Sequence, residues 1–298
     1  MNNTMVNIKE LPEEELFYGH KACAGCGGAL AVRLALKILG PRTFVVCPAN
    51  CMSAVGFLYP SMPFFVNAFA SAFPCTGAVL SGVEAGAKAQ GLKDFYVVGT
   101  AGDGGTADIG LQALSGAIDR NSRVIYICYD NEAYMNTGVQ ESGLTPFGAK
   151  TTTSPVGTEI KGTLTHKKSM FEIVAANNIS YAATASIGYP QDYMNKIAKA
   201  KANQGTSYIH VMAPCPTGWS MATDTTVSIA KEAVNCGLWY LAEYEHGQFK
   251  LNKDPKQFTP VKNYLSQQGR FKHLSDDQIA EIEHHRDVKW EKIRADWK

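Results

Sequence analysis

The chain has 298 residues, 45% of them hydrophobic and 18% charged, with a formal net charge of +1. That length supports one large domain or two small ones around a real core. A near-neutral charge gives no electrostatic basis for binding nucleic acid or an anionic membrane. No run of about 18 apolar residues occurs, so no spanning helix is expected. The polar, acidic start from Met1 to Leu16 has no leader-like apolar stretch, and a cytoplasmic location is expected.

There are eight cysteines. In a reducing compartment these are ligands or core residues more often than disulfides. Cys23 and Cys26 form a C-x-x-C pair followed by Gly27 and Gly28. This spacing sets two sulfurs in one tight turn, and glycines let backbone amides approach them. The pair precedes the first ordered stretch rather than following a strand, which argues against a thioredoxin-like dithiol. Alone, it leaves zinc, an iron–sulfur cluster, a redox thiol and no metal all open.

A helix is predicted next over Leu30–Leu39, then a strand over Thr43–Cys47 that delivers Cys51 in a Pro-Ala-Asn-Cys turn. Helical spacing returns over Val79–Ala89, and a second strand over Asp94–Thr100. Gly102-Asp103-Gly104-Gly105-Thr106 follows directly, before a helix over Ile109–Ile118. A third strand, Val124–Tyr129, runs into Asp130-Asn131-Glu132-Ala133-Tyr134-Met135-Asn136-Thr137-Gly138. A glycine turn can fold against a phosphate, and the helix start offers free amides to it. Asp103 supplies a carboxylate, Asn131 a second oxygen, and a backbone carbonyl just beyond a third, a set that suits Mg²⁺. Gly-Asp-Gly by itself is better read as a turn with Asp103 as helix cap. The Asn131 loop at the neighbouring strand end favours a ligand. No G-x-x-x-x-G-K-[ST] occurs, nor G-x-G-x-x-G after a strand.

A helix over Tyr193–Ala202 and a strand over Ser207–Met212 lead to Cys215, in Ala-Pro-Cys-Pro-Thr-Gly-Trp. Cys51 and Cys215 thus both stand at strand ends. With Cys23 and Cys26 they would make four thiolates, enough for a [4Fe–4S] cluster or a structural zinc. Cys47 and Cys128 lie inside strands and Cys75 and Cys236 beside helices, where packing in the core is expected.

Continuous apolar strands alternating with helices predict an α/β fold, a mainly parallel sheet covered by helices on both faces. Ligands then bind at the carboxyl ends of the strands. Residues 1–247 are expected to form one cofactor-binding domain that includes the four cysteines. Residues 248–298 are richer in charge and broken by Pro255 and Pro260, and are expected to form an extension packed on a partner or on the domain itself. Within it a helix is predicted over Ser275–Trp297, capped by Ser275 with Asp276 and Asp277 in its first turn.

Several strings together carry a resemblance. They are Gly19-His-Lys-Ala-Cys23-Ala-Gly-Cys26-Gly, Gly102-Asp-Gly, the string Tyr129 to Gly138, Thr145-Pro-Phe-Gly-Ala149, Thr151-Thr-Thr-Ser-Pro155 and Cys215-Pro-Thr-Gly-Trp219. From about residue 15 to 270 the chain resembles the β subunits of the pyruvate:ferredoxin oxidoreductase family, within the 2-oxoacid:ferredoxin oxidoreductases. The resemblance implies a thiamine-diphosphate-binding fold. It implies that Asp103, the Asn131 side chain and the Ala133 carbonyl hold Mg²⁺. Gly102 and Gly104, with Asn136, Thr137 and Gly138, would line the diphosphate and thiazolium, and Asn136 would face the substrate carbonyl. Cys23, Cys26, Cys51 and Cys215 would carry a [4Fe–4S] cluster. Some family members have Thr where Asn131 stands, and either residue offers a side-chain oxygen.

The activity so implied is reversible oxidative decarboxylation of a 2-oxoacid, pyruvate first, with coenzyme A, giving acyl-CoA and CO₂ and passing electrons to ferredoxin. No segment reads as a second cofactor-binding domain, and no two-cluster ferredoxin run is present. An α subunit completing the active site, with γ-type and ferredoxin-like subunits, is therefore expected. The same chemistry on a branched-chain 2-oxoacid, an aryl glyoxylate or oxalate stays open. A non-oxidative thiamine-diphosphate lyase would leave the four cysteines unexplained. A non-catalytic metal-binding module would leave Asp103 and Asn131 unexplained.

Overall fold

The strands are short apolar runs whose alternate side chains enter two separate cores. In the computed structural model, which describes residues 5–297, they are β1 (Thr43–Pro48), β2 (Asn67–Ser71), β3 (Tyr96–Gly102), β4 (Ile125–Asp130), β5 (Tyr181–Ser186), β6 (Ser207–Met212), β7 (Ala242–Glu245) and β8 (Gln248–Leu251). Residues 1–4, the beginning of the acidic N-terminal stretch, and residue 298, the end of the charged tail, lie outside the described residues. The strands form one sheet in the order β2-β1-β3-β4-β6-β5-β7-β8. The first six are mutually parallel; β7 and β8 add an antiparallel edge. The expected α/β fold, with a mainly parallel sheet between two helical layers, is the fold observed.

The helices are α1 (Gly27–Leu39), α2 (Cys51–Gly56), α3 (Thr76–Ala89), α4 (Asp103–Ala107), α5 (Leu111–Asp119), α6 (Met170–Ala176), α7 (Pro190–Ala202), α8 (Pro216–Trp219), α9 (Thr226–Asn235), α10 (Val261–Leu265) and α11 (Asp276–Asp296). One face of the sheet packs Val45, Ile127 and Val211 against Leu36 of α1, Ile197 of α7 and Ile229 of α9. The other packs Val46, Tyr126 and Tyr208 against Leu80 of α3, Leu114 of α5 and Phe171 of α6. Period-two alternation in a strand buried on both faces produces this division.

Several boundaries shift by a few residues from the sequence reading, with α1, α3 and α7 each starting three residues earlier, and two of the shifts have a visible local reason. β3 starts at Tyr96 because Asp94 sits in the left-handed region (φ 52°) and turns the chain. The helix expected from Ile109 starts at Leu111. Ile109 is exposed, and Gly110 is pressed so close to the Gly105 carbonyl that a Cβ would lie 2.1 Å from it.

The boundary expected at 247/248 falls at the tip of the β7–β8 hairpin. The segment beyond it is packed on the sheet, with Trp290, Ile293 and Trp297 buried against Phe171, Tyr240 and Phe249. Ser275 caps α11 in a capping box with Gln278, and Asp276 and Asp277 occupy the first turn, as the sequence predicts. Among the described residues no helix is long and apolar enough to cross a membrane.

Candidate cofactor and metal sites

The carboxyl ends of β1, β3 and β4 open into a cleft of about 620 Å³, counted to its mouth. Ala49, Asn50, Cys51 and Ser53 form one wall, Gly102 to Gly105 the floor, and Asn131, with Ala133 to Thr137, the other wall. Asp103 begins α4 and is 1% exposed. Burial raises its carboxyl well above the usual range, and the charge of Asp130 adds to this; the Ser142 hydroxyl, donating to Oδ2, opposes it. No ion pair reaches Asp103 among the described residues. A buried carboxylate without a counter-charge is costly, and a bound cation would relieve it.

The Asn131 side-chain amide lies 2.9 Å from Asp103 Oδ1 and 3.0 Å from the Ala133 carbonyl oxygen. With its nitrogen turned to them it donates to both. With its oxygen turned to them, three oxygens converge. The two spacings from the Asn131 amide match the edge, about 2.9 Å, of an octahedron with metal–oxygen bonds of about 2.0–2.1 Å. These three residues therefore fit Mg²⁺. A second feature suits a ligand in the same cleft: the Tyr129 hydroxyl is buried on its wall with no hydrogen-bond partner.

The glycines divide by role. A Cβ at Gly104 would lie 2.3 Å from the Tyr134 ring, so packing within the protein requires this glycine. At Gly102 a Cβ would make only ordinary contact with Tyr129, so that glycine leaves room in the cleft itself. Asn136 and Thr137 stand exposed on the rim. Gly138 lies just beyond the lining, at φ 121°, where it turns the loop back toward Gln140.

The four cysteines named from sequence come from three turns. Cys26 caps α1, its sulfur accepting from Ala29 N at 3.5 Å. Cys215 caps α8 and accepts from Gly218 N at 3.3 Å. Cys51 begins α2 behind the capping box of Asn50 and Ser53, and Cys23 is exposed. Gly27 N donates to Pro214 O at 3.1 Å, and Thr226 Oγ1 to Gly25 O at 2.7 Å, which ties the C-x-x-C turn to the Cys215 turn. A side chain at Gly25 or Gly27 would collide with Thr223 or Pro214 backbone. Burial pushes the Cys51 thiol up to about 12, and Cys215, Cys26, Cys23 and Asp103 add to the rise, so the turns converge electrostatically. Among the described residues no three His, Cys, Asp or Glu side chains close on one point as ligands of a single metal ion. Cys47, Cys128 and Cys236 are buried, as expected of core residues; Cys75, ahead of α3, is only half-buried.

Sequence reasoning missed a buried charge network behind the cleft. Asp130 accepts from Lys167 Nζ at 2.8 Å and lies 2.9 Å from His210 Nε2. Lys167 also donates to Glu132 Oε1 at 2.8 Å, and Arg270 donates to Glu132 Oε2. Burial alone would raise Asp130, but Lys167 and His210 hold it well below the usual carboxylate range. Arg270 stacks 3.8 Å over Trp219, whose indole donates to the Asn131 carbonyl at 2.7 Å. Trp219 thus joins the Cys215 turn to the Asn131 loop. The one signal in the sequence was Asp130 and His210 standing in otherwise apolar strands, since buried charges need partners.

Comparison with known proteins identifies the family. Residues 51–211 match the C-terminal TPP binding domain of thiamine pyrophosphate enzymes. Pyruvate synthase subunit PorB of Methanothermobacter thermautotrophicus is 49% identical over 96% of this chain and 99% of its own length. Ketoisovalerate oxidoreductase subunit VorB of Pyrococcus horikoshii is 47% identical over 95% of this chain and 93% of its own. The 2-oxoglutarate:ferredoxin oxidoreductase from Magnetococcus marinus shares the fold, with a TM-score of 0.56 at 19% identity over 78% of this chain and 81% of that one. The chain belongs to the thiamine pyrophosphate enzymes, in the family of 2-oxoacid:ferredoxin oxidoreductase subunits that includes the pyruvate synthase and ketoisovalerate oxidoreductase B subunits.

Proposed function

We propose that this chain is the subunit of a pyruvate:ferredoxin oxidoreductase that holds thiamine diphosphate, Mg²⁺ and a [4Fe–4S] cluster. The reaction joins the acyl group of pyruvate to coenzyme A, releases CO₂ and sends electrons to ferredoxin, reversibly. One observation carries the reading: Cys51 lines the same cleft as Asp103 and Asn131, so one space borders both a magnesium-type oxygen triad and a thiol of the four-cysteine group. Bound thiamine diphosphate supplies the electron sink for decarboxylation.

The chain's own residues do the rest. Asp103, Asn131 and the Ala133 carbonyl hold the metal; Gly102 leaves room for the diphosphate; Tyr129 offers its free hydroxyl. Asn136 and Thr137, on the rim, face the substrate side, where Asn136 can donate to an oxygen that gains charge. Cys23, Cys26, Cys51 and Cys215 hold the cluster. A cytoplasmic location goes with oxygen-sensitive thiolate chemistry.

Partner subunits complete the enzyme. Leu58, Tyr59, Met62 and Phe65 are exposed directly after α2, with Tyr18 stacked on Phe65 at 4.2 Å. An apolar patch next to the helix that bears Cys51 suits an α subunit closing the cleft. The γ-type and ferredoxin-like subunits then carry electrons onward. A branched 2-oxoacid is the second reading, supported by the ketoisovalerate relatives; side-by-side rates with pyruvate and 3-methyl-2-oxobutanoate separate the two.

Anaerobic purification with iron, sulfide, zinc and thiamine-diphosphate analysis tests the proposal. The expected yield is about four irons and one cofactor per chain. Alanine at Cys23, Cys26, Cys51 or Cys215 should lose iron, and alanine at Cys47 or Cys236 should keep it. Zinc without iron refutes the redox role, and full turnover by the isolated chain refutes the need for partners.

A further inference from the structure

Glu132 stands between the two loop residues of the oxygen triad, Asn131 and Ala133, and its backbone lies in the left-handed region at φ 68°. A residue with a Cβ keeps that conformation only where its surroundings over-determine it. The turn has a geometric effect. Asn131 and Ala133 line the first cleft, whereas Glu132 faces a separate cavity behind it. A left-handed Glu132 therefore keeps the Asn131 amide and the Ala133 carbonyl on the side of Asp103.

Every polar group of Glu132 is held. Its N–H donates to Asp130 Oδ1 at 2.9 Å, and its carbonyl accepts from Thr145 Oγ1 at 2.8 Å. Lys167 Nζ donates to Oε1 at 2.8 Å, and Arg270 donates to Oε2. Lys167 also serves Asp130, while Arg270 pairs with no other carboxylate among the described residues.

Arg270 comes from the 248–298 segment and is buried on a single 3₁₀ turn, Gly269–Phe271. Two main-chain bonds fix that turn: Gly269 N donates to Ser220 O at 3.1 Å, and Lys150 N to Arg270 O at 3.0 Å. A Cβ at Gly269 would lie 2.6 Å from that of Ser220, the residue directly after Trp219. The guanidinium is aimed from this base. Its Nε donates to Gln268 Oε1 at 2.9 Å, and it lies 3.8 Å from the ring centre of Trp219, which itself donates to the Asn131 carbonyl. Arg270 thus reaches the loop twice, directly at Glu132 and through Trp219. A planar guanidinium can meet these partners together, and an ammonium cannot.

We propose that Arg270 is a positioning residue for the magnesium site, holding Glu132 left-handed so that Asn131 and Ala133 keep their spacing to Asp103. The segment beyond residue 247 is then part of the cofactor site. This rests on the reading of the first cleft as a Mg²⁺–thiamine diphosphate site, although Arg270 lines no part of that cleft.

The test is anaerobic calorimetric titration of thiamine diphosphate into the full-length chain, with any subunits that copurify, at limiting and at saturating Mg²⁺. At limiting Mg²⁺, Arg270→Met should bind at least about tenfold more weakly than wild type, the usual cost of losing a partner behind metal ligands. Arg270→Lys should lose less, since it restores the charge without the fork. Glu132→Gln keeps the side-chain shape and drops its charge, and should show a loss from the other partner. High Mg²⁺ should recover most of each loss, because a displaced ligand set still binds metal, only more weakly. Tyr181→Phe is the control for stability alone: it removes a buried 2.8 Å bond to Glu243 at the amino end of β5 and should keep wild-type affinity. Wild-type affinity in Arg270→Met or Glu132→Gln overturns the proposal, as does an equal loss in Tyr181→Phe or a loss that high Mg²⁺ leaves unchanged. If Arg270→Met does not fold, Arg270→Lys and Glu132→Gln decide by the same measure. Wild type that binds no thiamine diphosphate refutes the reading of the cleft together with the role of Arg270; the other outcomes refute that role alone.

Discussion

Replacing Asp103 by Asn should move two measurable quantities in opposite directions. The carboxyl is 1% exposed, destabilised as an anion by burial and by Asp130, and without an ion-pair partner. Asn keeps the shape and the hydrogen bonds. Its nitrogen can donate to Ser142 Oγ, which only has to turn its hydroxyl, and its oxygen can still accept from the Asn131 amide. Only the charge disappears, so the cofactor-free protein should gain about 1–2 kcal/mol. That corresponds to a rise of roughly 2–4 °C in melting temperature per kcal/mol. The magnesium triad loses its one anionic oxygen in the same step. Ligand at a hundred times its dissociation constant stabilises a native protein by about 2.7 kcal/mol, and most of this increment should vanish in the variant. Scanning fluorimetry on both proteins, with and without Mg²⁺ and thiamine diphosphate under anaerobic conditions, reads both effects. A cofactor-free variant that melts below wild type, or one that keeps the full ligand-induced shift, would refute the reasoning.

Trp219→Phe should cost about 1–3 kcal/mol in urea denaturation, because the buried Asn131 carbonyl loses its 2.7 Å donor. It should also weaken Mg²⁺–thiamine diphosphate binding; unchanged affinity would remove Trp219 as the link between the two sites. Gly104→Ala sets a methyl 2.3 Å from the Tyr134 ring, which is itself fixed by a 2.9 Å bond to Asp108. A loss of about 1–3 kcal/mol is expected, with partial recovery in the Gly104→Ala/Tyr134→Ala double variant, and full wild-type stability of the single variant would contradict the packing. For Lys289 the folded value of about 8 lies below the 10.5 of the unfolded chain, so the unfolded state binds more protons between them. Stability should therefore rise from pH 8 to 10.5 relative to Lys289→Met, and parallel pH profiles from urea melts at pH 7, 8 and 9.5 would exclude the penalty.

The parts of the fold legible in the sequence are those where local chemistry and burial agree. β1, β4 and β6 are largely apolar runs because both their faces are covered, and helices between them make the sheet mainly parallel. β5 reads Tyr-Ala-Ala-Thr-Ala-Ser, and its alanines carry little strand signal; it is extended because β6 and β7 flank it. The tail reads as a solvated extension because the buried residues of α11, Ile282, Trp290 and Ile293, are few among many charges, yet Trp290 and Ile293, with Trp297 just beyond the helix, seal the second core. The candidate site divides in the same way. Asp103, Asn131, Cys51 and Cys215 stand in short strings at strand ends, so their spacing is visible. Lys167, His210 and Arg270 arrive singly from distant segments and have no local pattern. Asp130 nonetheless announces them: a carboxylate closing a fully buried strand must be paired, so the sequence demands a cation without naming it.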